Sequence, residues 1–150
     1  MHIGKEMKIL IIGVNGFIGC NLVHNILSDT DWEIIGLDIS SARLGKFSNP
    51  RFSFIKCDVT QNFKLVDNLI QETDLTIPLF AIASPSIYIK DPLKVFRLDF
   101  EENLKIIKLC VKHKNRLIFP SSSEVYGLCE DKYLDENTSN NITGPINKTR

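Results

Sequence analysis

Five short apolar runs alternate with amphipathic segments along this chain, and that alternation limits the possible folds more than any other feature. The runs consist mainly of Ile, Leu, Val and Phe, which is typical of strands buried on both faces. Such strands form parallel sheets covered by helices on each side, because parallel neighbours need a crossover connection. We therefore expect an α/β fold with a doubly wound parallel sheet. The expected strands are residues 8–12, 33–38, 52–57, 75–82 and 116–120, and the expected helices are residues 16–27, 63–71 and 92–112.

Length and charge narrow the class of protein further. The chain has 150 residues, of which 43% are hydrophobic, and this suffices for one compact domain with its own core. Its 18 basic and 18 acidic side chains give a formal net charge of zero, so no field of one sign attracts nucleic acid or an anionic membrane. The composition favours a small ligand that is bound locally.

The cysteines and the N-terminal segment bear on metal binding and location. The cysteines form no CxxC pair and have no metal-ligand spacing with the histidines, so we interpret them as buried or idle thiols and expect no metal. No apolar stretch approaches the length of a membrane span, and MHIGKEM is too short and polar for a signal peptide. We expect a reduced, soluble, cytoplasmic protein. The residues concerned are Cys20, Cys57, Cys110, Cys129, His2, His24 and His113.

Three glycines follow the first apolar run, in the segment MKILIIGVNGFIGCNLV. Glycine inside a helix costs about 1 kcal/mol relative to alanine, so its use at a helix start indicates a close backbone approach. In a dinucleotide-binding unit, Gly13 makes the tight turn, Gly16 lets backbone amides reach a pyrophosphate, and Gly19 packs the helix on the sheet. The spacing here is G-x-x-G-x-x-G, with Asn15 in the turn. A turn required only for packing is the alternative interpretation.

Acidic residues end the second and third apolar runs. Asp38, in IIGLD, stands where a carboxylate can accept hydrogen bonds from the adenosine ribose and repel a 2′-phosphate. This favours NAD over NADP as the cofactor. Asp58, in KCDV, is placed to face the adenine, and capping of the next helix before Thr60 is the alternative interpretation.

With these residues placed, the sequence resembles the extended short-chain dehydrogenase/reductase family, a Rossmann-type fold with G-x-x-G-x-x-G, an acid after the second strand and a segment ending in V-Y-G. More narrowly, it is similar to the UDP-glucuronic acid decarboxylase domains of bifunctional polymyxin-resistance proteins. The similarity covers the chain from Met7 onward, in GVNGFIG, GLDIS, PLFAIASPSIYIKDPLKVFRLDFEENLKIIKLC, RLIFPSSSEVYG and GPINK. It implies one NAD-binding domain over residues 1–150 with strand order 3-2-1-4-5, truncated before the remaining strands and the C-terminal substrate region.

The resemblance implies oxidative decarboxylation of UDP-glucuronic acid to a UDP-4-keto-pentose, as in lipid A aminoarabinose synthesis, with NAD as cofactor. NAD⁺ takes a hydride from C4, and the resulting ketone lies beta to the carboxylate, which leaves as CO₂. By position, the family's cofactor contacts fall on Gly13, Asn15, Gly16, Phe17, Ile18, Gly19, Asp38, Asp58 and Val59. Its contacts with the sugar nucleotide fall on Ala83, Tyr88, Ser122, Ser123 and Arg150.

The residues before V-Y-G bear on the reaction type. Similar 4,6-dehydratases carry an Asp-Glu pair there and galactose epimerases carry small neutral residues, whereas this chain has Ser123 followed by Glu124. By resemblance, Glu124 is a proton acceptor and Ser122 hydrogen-bonds the reacting hydroxyl. A polar strand-to-loop junction capped by serines is the alternative interpretation.

Other polar and aromatic residues have simpler explanations. Tyr88 either contacts substrate or anchors the following helix by packing. Residues 128–150 are polar and turn-rich, so they form either an ordered site loop or a partly disordered tail. The charged residues of the third expected helix are interpreted as its solvated face, and these are Lys94, Glu101, Glu102, Lys105 and Lys108.

The family's Tyr-x-x-x-Lys pair is absent from these 150 residues, and Tyr126 has no Lys at that spacing. In the family, the Tyr phenolate removes the hydroxyl proton and the Lys lowers the pKa of the Tyr. We therefore expect no turnover from this chain alone. Its expected partners are a UDP-sugar and either a separate chain that carries the missing half or a second copy of itself. A nucleotide-binding remnant without chemistry, and another NAD-dependent nucleotide-sugar epimerase or dehydratase, are the alternative functions.

Overall fold

A computed structural model describes residues 6–45, 48–126 and 132–136 of the chain. The chain divides into two compact units, one ending at Phe119 and one beginning at Pro120. The first unit holds the sheet and its helices, and the second holds a 3₁₀ turn at Ser123–Tyr126. Within the described residues, none of the helices has both the length and the apolar character needed to cross a membrane.

The first unit is built on a parallel sheet of five strands. In chain order these are β1 (Lys8–Ile12), β2 (Glu33–Asp38), β3 (Phe52–Lys56), β4 (Leu75–Pro78) and β5 (Arg116–Leu117). Their order across the sheet is β3-β2-β1-β4-β5, and every neighbouring pair is parallel. Residues 9–12 of the central strand β1 are almost completely buried, because strands pair with both of its edges and helices cover both of its faces. The predicted fold class and strand order are confirmed.

Helices pack on both faces of the sheet. They are α1 (Phe17–Asp29), α2 (Phe63–Gln71), α3 (Pro85–Lys90), α4 (Pro92–Phe96) and α5 (Asn103–His113). Successive strand residues point to opposite faces. Accordingly, Ile9 and Ile11 of β1 share one core cluster with α1, while Leu10 and Ile12 share another with α2 and α5. This layering leaves the carboxyl ends of the strands free to form a site.

Three strands are shorter than their apolar runs predict, and the first of them, β3, ends at Lys56 rather than at Cys57. The expectation that β4 reaches Ile82 is wrong, because the chain leaves the sheet after Pro78. The N–H of Ile82 donates to Asp99 Oδ1 at 2.8 Å rather than to a neighbouring strand. The expectation that β5 reaches Pro120 is also wrong, since its ladder pairs only Arg116 and Leu117 with the start of β4.

The third predicted helix, residues 92–112, is helical but is not one α-helix. A π-helical segment, Arg97–Glu102, separates α4 from α5. The next residue, Asn103, is buried, and its Nδ2 donates to the carbonyl oxygens of Leu98 at 3.3 Å and Asp99 at 3.2 Å. A π turn removes backbone carbonyls from their usual helical partners, and the Asn103 amide supplies a replacement donor.

Candidate functional site

The turn between β1 and α1 is held by the end of β2. The N–H groups of Gly13 and Val14 both donate to the Leu37 carbonyl, at 2.8 and 3.2 Å. Gly13 has φ +84°, and a Cβ there would lie 2.8 Å from the Phe80 backbone nitrogen. At the buried Gly19, a Cβ would lie 2.5 Å from the Val14 carbonyl oxygen. Glycine is therefore required at both positions, at the first by conformation and space and at the second by space alone.

Helix α1 begins with bare backbone. Gly16 is its N-cap residue and has no side chain that could bond the first turn, which also contains no acidic residue. The first hydrogen bond of the helix joins the Cys20 N–H to the Gly16 carbonyl at 3.0 Å, so the amides of Phe17, Ile18 and Gly19 have no acceptor within the helix. These amides and the positive end of the helix dipole favour an anion such as a phosphate.

Asp38, at the end of β2, is hydrogen-bonded to the turn that precedes α1. Its Oδ2 accepts the Asn15 N–H at 3.0 Å, and its Oδ1 accepts the Ser40 N–H at 3.1 Å. An ionised carboxylate has about four acceptor sites, so two remain for the hydroxyls of a ribose. Asn15 also uses its side chain, whose Oδ1 accepts the Arg43 N–H at 2.7 Å.

Asp58 lies just beyond the end of β3. Its Oδ1 accepts hydrogen bonds from the Thr60 N–H at 2.9 Å and from the Thr60 hydroxyl at 2.8 Å. Its carbonyl accepts from Asn62, the N-cap residue of α2, at 2.9 Å. Asp58 thus shapes the turn before α2, and because its side chain is exposed it is also accessible to a ligand.

A cavity of about 1030 Å³ joins these features at the carboxyl ends of the strands. Its volume and its position, next to a glycine turn and an acidic strand end, suit a dinucleotide. The predicted cofactor residues that line it are Gly13, Gly16, Asp38, Asp58 and Val59.

Part of the cavity wall was not predicted from the sequence. Ile39, directly after Asp38, lines it with 66% of its surface exposed. Lys94, Arg97 and Glu102 line it from α4 and the π-helical segment, so the interpretation of Lys94 and Glu102 as simply a solvated face is incomplete. Exposed charges give the same sequence signal on an open helix face as at a cavity rim. For Ile39, the one feature of the sequence that could have indicated a place in the cavity wall is an apolar residue just beyond the end of a strand.

The thiol that lines the cavity is held in its neutral form. Burial raises the pKa of Cys57, and the neighbouring negative charge of Asp58 raises that pKa further. Because the thiolate is the nucleophilic form of cysteine, Cys57 serves this wall as an apolar contact.

Neither of the predicted sugar-nucleotide residues in the first unit lines this cavity. Ala83 precedes α3 and Tyr88 lies on it, and neither is among the cavity-lining residues. Ser122 and Ser123 are exposed in the second unit, where Ser123 begins the 3₁₀ turn that includes Glu124. The Glu124 side chain and Arg150 lie outside the described residues, as do residues 128–150 apart from 132–136.

Known proteins share this fold over most of the chain. A family model described as the NAD dependent epimerase/dehydratase family matches residues 9–149. The PbgP3 protein from Burkholderia pseudomallei is 48% identical with a TM-score of 0.88, over 96% of this chain and 43% of that one. The UDP-glucuronic acid 4-epimerase from Bacillus cereus, solved with UDP-glucuronic acid and NAD, is 26% identical with a TM-score of 0.75, over 87% and 45%. The UDP-Glc/GlcNAc 4-epimerase from Campylobacter jejuni is 26% identical with a TM-score of 0.77, over 87% and 42%.

The chain spans less than half the length of each of these structures. The prediction of NAD as cofactor is confirmed, since the matching family is NAD-dependent and the Bacillus cereus structure contains NAD. The residues found here fit that cofactor, because Gly16, the N-cap residue of α1, and Asp38, which has free acceptor sites, both line one cavity. The family model covers nearly the whole sequence, and this chain therefore belongs to the NAD-dependent epimerase/dehydratase family.

Proposed function

We propose that this chain is the NAD-binding part of a UDP-glucuronic acid decarboxylase that acts in lipid A aminoarabinose synthesis, and thereby in polymyxin resistance. The observation that carries the proposal is that Gly16, the N-cap residue of α1, and the Asp38 carboxylate line one large cavity. The corner that these two residues form suits a diphosphate and a ribose. The choice of UDP-glucuronic acid is supported by the segments shared with these decarboxylases, including PSSSEVYG. It is also supported by the 26% identical epimerase that was solved with UDP-glucuronic acid.

The first unit supplies the cofactor contacts. The amides of Phe17, Ile18 and Gly19 would hold the pyrophosphate, Asp38 the adenosine ribose, and Asp58 the adenine. When bound, NAD⁺ accepts a hydride from C4 of the sugar ring. The neutral Cys57 thiol and the exposed Ile39 side chain make the cavity wall partly apolar, as a stacked base requires.

The sugar nucleotide is assigned to the residues that the resemblance gives. Ser122 would hydrogen-bond the reacting hydroxyl, and Glu124 would accept a proton. A ketone at C4 is beta to the carboxylate, so the electrons of the breaking carbon–carbon bond move toward the ketone oxygen as CO₂ leaves. Protonation of the resulting enolate at C5 would then give the product, a UDP-4-keto-pentose. The full set of proposed sugar-nucleotide contacts is Ala83, Tyr88, Ser122, Ser123 and Arg150.

Turnover requires a further stretch of polypeptide. The 150 residues contain no Tyr-x-x-x-Lys, and the chain spans 43% of the PbgP3 structure. We therefore assign the Tyr and Lys to a complementary segment that docks on this chain as a separate polypeptide or as the continuation of this one. A second copy of the chain is the other candidate partner.

The test adds UDP-glucuronic acid and NAD⁺ to the chain, alone and together with the complementary part of PbgP3. We follow NADH at 340 nm and CO₂ release from carboxyl-labelled substrate. No turnover is expected from the chain alone, and both signals are expected from the mixture. Glu124→Gln should abolish both signals in the mixture without weakening NAD⁺ binding. Sustained NADH formation by the chain alone would contradict the assignment of the Tyr and Lys to another segment.

Two other candidate functions remain. One is NAD binding without chemistry, and the other is the reaction of another nucleotide-sugar epimerase or dehydratase. The first is favoured by a cofactor corner that is complete without the Tyr-x-x-x-Lys pair. The second is supported by the 26% identity with two 4-epimerases. Interconversion of UDP-glucose and UDP-galactose by the mixture, without CO₂ release, would favour an epimerase.

A further inference from the structure

Asn15 ties the loop after β2 to the glycine turn. Its side-chain Oδ1 accepts the Arg43 N–H at 2.7 Å, although the two residues are 28 positions apart in the sequence. Its backbone N–H donates to Asp38 Oδ2 at 3.0 Å. One residue of the β1–α1 turn therefore holds both the end of β2 and the loop that follows it.

Among the residues that the structure describes, the loop at residues 39–45 has few other connections to the rest of the first unit. The bond from the Ser40 N–H to Asp38 Oδ1 and the bond from the Leu44 N–H to the Ser41 carbonyl, both 3.1 Å, are local and shape the loop itself. The contacts that fasten it more widely are the Asn15 hydrogen bond and the Leu44 side chain, which is buried in the core cluster beside α1. The loop begins with Ile39, which lines the cavity.

We propose that Asn15 is a positioning residue that keeps residues 39–45 closed on the glycine turn, so that the adenosine end of the site forms before the nucleotide arrives. The proposal rests on the proposed role of Asp38 in binding the ribose. A site that is closed in only a fraction of molecules binds its ligand more weakly in proportion to that fraction. Removing the Asn15 acceptor leaves Leu44 to hold the loop, and the closed fraction falls.

The experiment uses the full 150-residue chain and two measurements. Amide hydrogen exchange by NMR reports whether the Arg43 N–H is still bonded, and titration calorimetry with ADP-ribose reports the adenosine end of the site. In Asn15→Ala we expect the Arg43 amide to exchange about fivefold faster or more, and ADP-ribose to bind about fivefold more weakly. Asn15→Asp keeps an oxygen acceptor, so it should preserve the protection of the Arg43 amide. Asn25→Ala, an exposed position on α1, is the matched control and should change neither measurement.

Three outcomes would overturn the proposal. Weaker ADP-ribose binding with unchanged Arg43 exchange would mean that Asn15 acts by direct contact with the ligand. Faster exchange with unchanged affinity would mean that the loop does not organise the site. Loss of Arg43 protection in both Asn15 variants would mean that the accepting oxygen is not what matters. A wild-type chain that fails to bind ADP-ribose would overturn the proposed function itself, whereas the three outcomes above leave wild-type binding intact.

Discussion

The two sides of the sheet in the first unit differ in their hydrogen bonding and in their exposed apolar surface. On the side of β1 and β2, three consecutive N–H groups of the glycine turn donate to the end of β2, and the Asn15 side chain accepts a hydrogen bond from the loop after β2. On the β4–β5 side, β5 is only two residues long, and the apolar Ile118 and Phe119 that follow it are 55% and 45% exposed. Phe96 and Phe100, whose ring centroids are 5.1 Å apart, are also about half exposed.

This difference indicates which part of the site the chain can form alone. Within the described residues, β5 is an edge strand of the sheet, and an edge beside exposed apolar side chains is a surface that favours pairing with another chain or segment. The proposed cofactor corner lies instead at β1 and β2, each of which pairs with a strand on both of its edges. The chain should therefore bind nucleotide by itself, and its β4–β5 side is where we expect the proposed complementary segment to dock.

Gly13→Ala should have the largest effect of these changes, because it combines a positive φ with a new Cβ close to neighbouring backbone. A positive φ strains alanine, and the new Cβ would lie 2.8 Å from the Phe80 backbone nitrogen. We expect the free energy of unfolding to fall by about 3 kcal/mol, which urea denaturation followed by the fluorescence of Trp32, the single tryptophan, can measure. Gly45→Ala is the matched control, since Gly45 has φ +58° and a Cβ added there would meet no atom within 4 Å. It should lose about 1 kcal/mol from strain alone. Equal losses in the two variants would show that this side is not tightly packed.

Asp38→Ala tests whether the β1–β2 side selects the cofactor. Wild-type chain should bind NAD⁺ about tenfold or more tightly than NADP⁺, because the carboxylate accepts ribose hydroxyls and repels a 2′-phosphate. The variant should lose most of that preference in titration calorimetry. Asp31→Ala, at an exposed position before β2, should keep it. Equal affinities of the wild-type chain for the two nucleotides would contradict the role given to Asp38.

The contrast between the two sides also separates what the sequence predicts well from what it does not. The strands β1 and β2 have their predicted bounds, because residues buried on both faces leave an unbroken apolar run. Gly13 and Asp38 carry local signals, a glycine at a strand end and an acid at the next one. That Gly13 and Asp38 lie at one cavity could therefore be anticipated from residue types and spacing, and their role in binding a nucleotide stays a prediction.

The remaining features depend on contacts that are distant in sequence. Past the end of β4, the Ile82 N–H donates to Asp99, 17 residues later, and an apolar run carries no signal of that bond. The π-helical segment is stabilised by the buried Asn103 amide, which resembles any other polar residue in a helical pattern. The bond from Asn15 to Arg43 likewise needs the fold before it can be recognised.

Ile118→Lys tests whether the exposed apolar surface beside β5 is a docking surface. Because Ile118 is already 55% exposed, the free energy of unfolding should change by no more than about 0.5 kcal/mol. Self-association, measured by light scattering over a concentration series, should decrease, and so should docking of the complementary segment. The matched variant Leu117→Lys alters a partly buried side chain packed on the α2 and α5 core, and it should destabilise the chain by about 2 kcal/mol. Unchanged association of the Ile118 variant would place the docking surface elsewhere.

The smallest effect is expected from Asp67→Asn. Asp67 lies on α2, and its carboxylate joins that helix to the end of α5 and so links the two sides. Its carboxylate contacts His113 Nε2 at 2.5 Å and Lys112 Nζ at 2.9 Å, and these hydrogen bonds, first from His113 and then from Lys112, lower the pKa of Asp67 below its ordinary 3.8. A lowered folded-state pKa gives stability that is present above the unfolded-state value and lost as the pH falls through the folded-state value. Asp67→Asn should therefore lower the urea midpoint slightly at pH 5 and by less at pH 3, whereas Asp31→Asn should change neither midpoint. A difference between wild type and Asp67→Asn that grows toward pH 3 would mean that the ionised carboxylate does not hold α2 and α5 together.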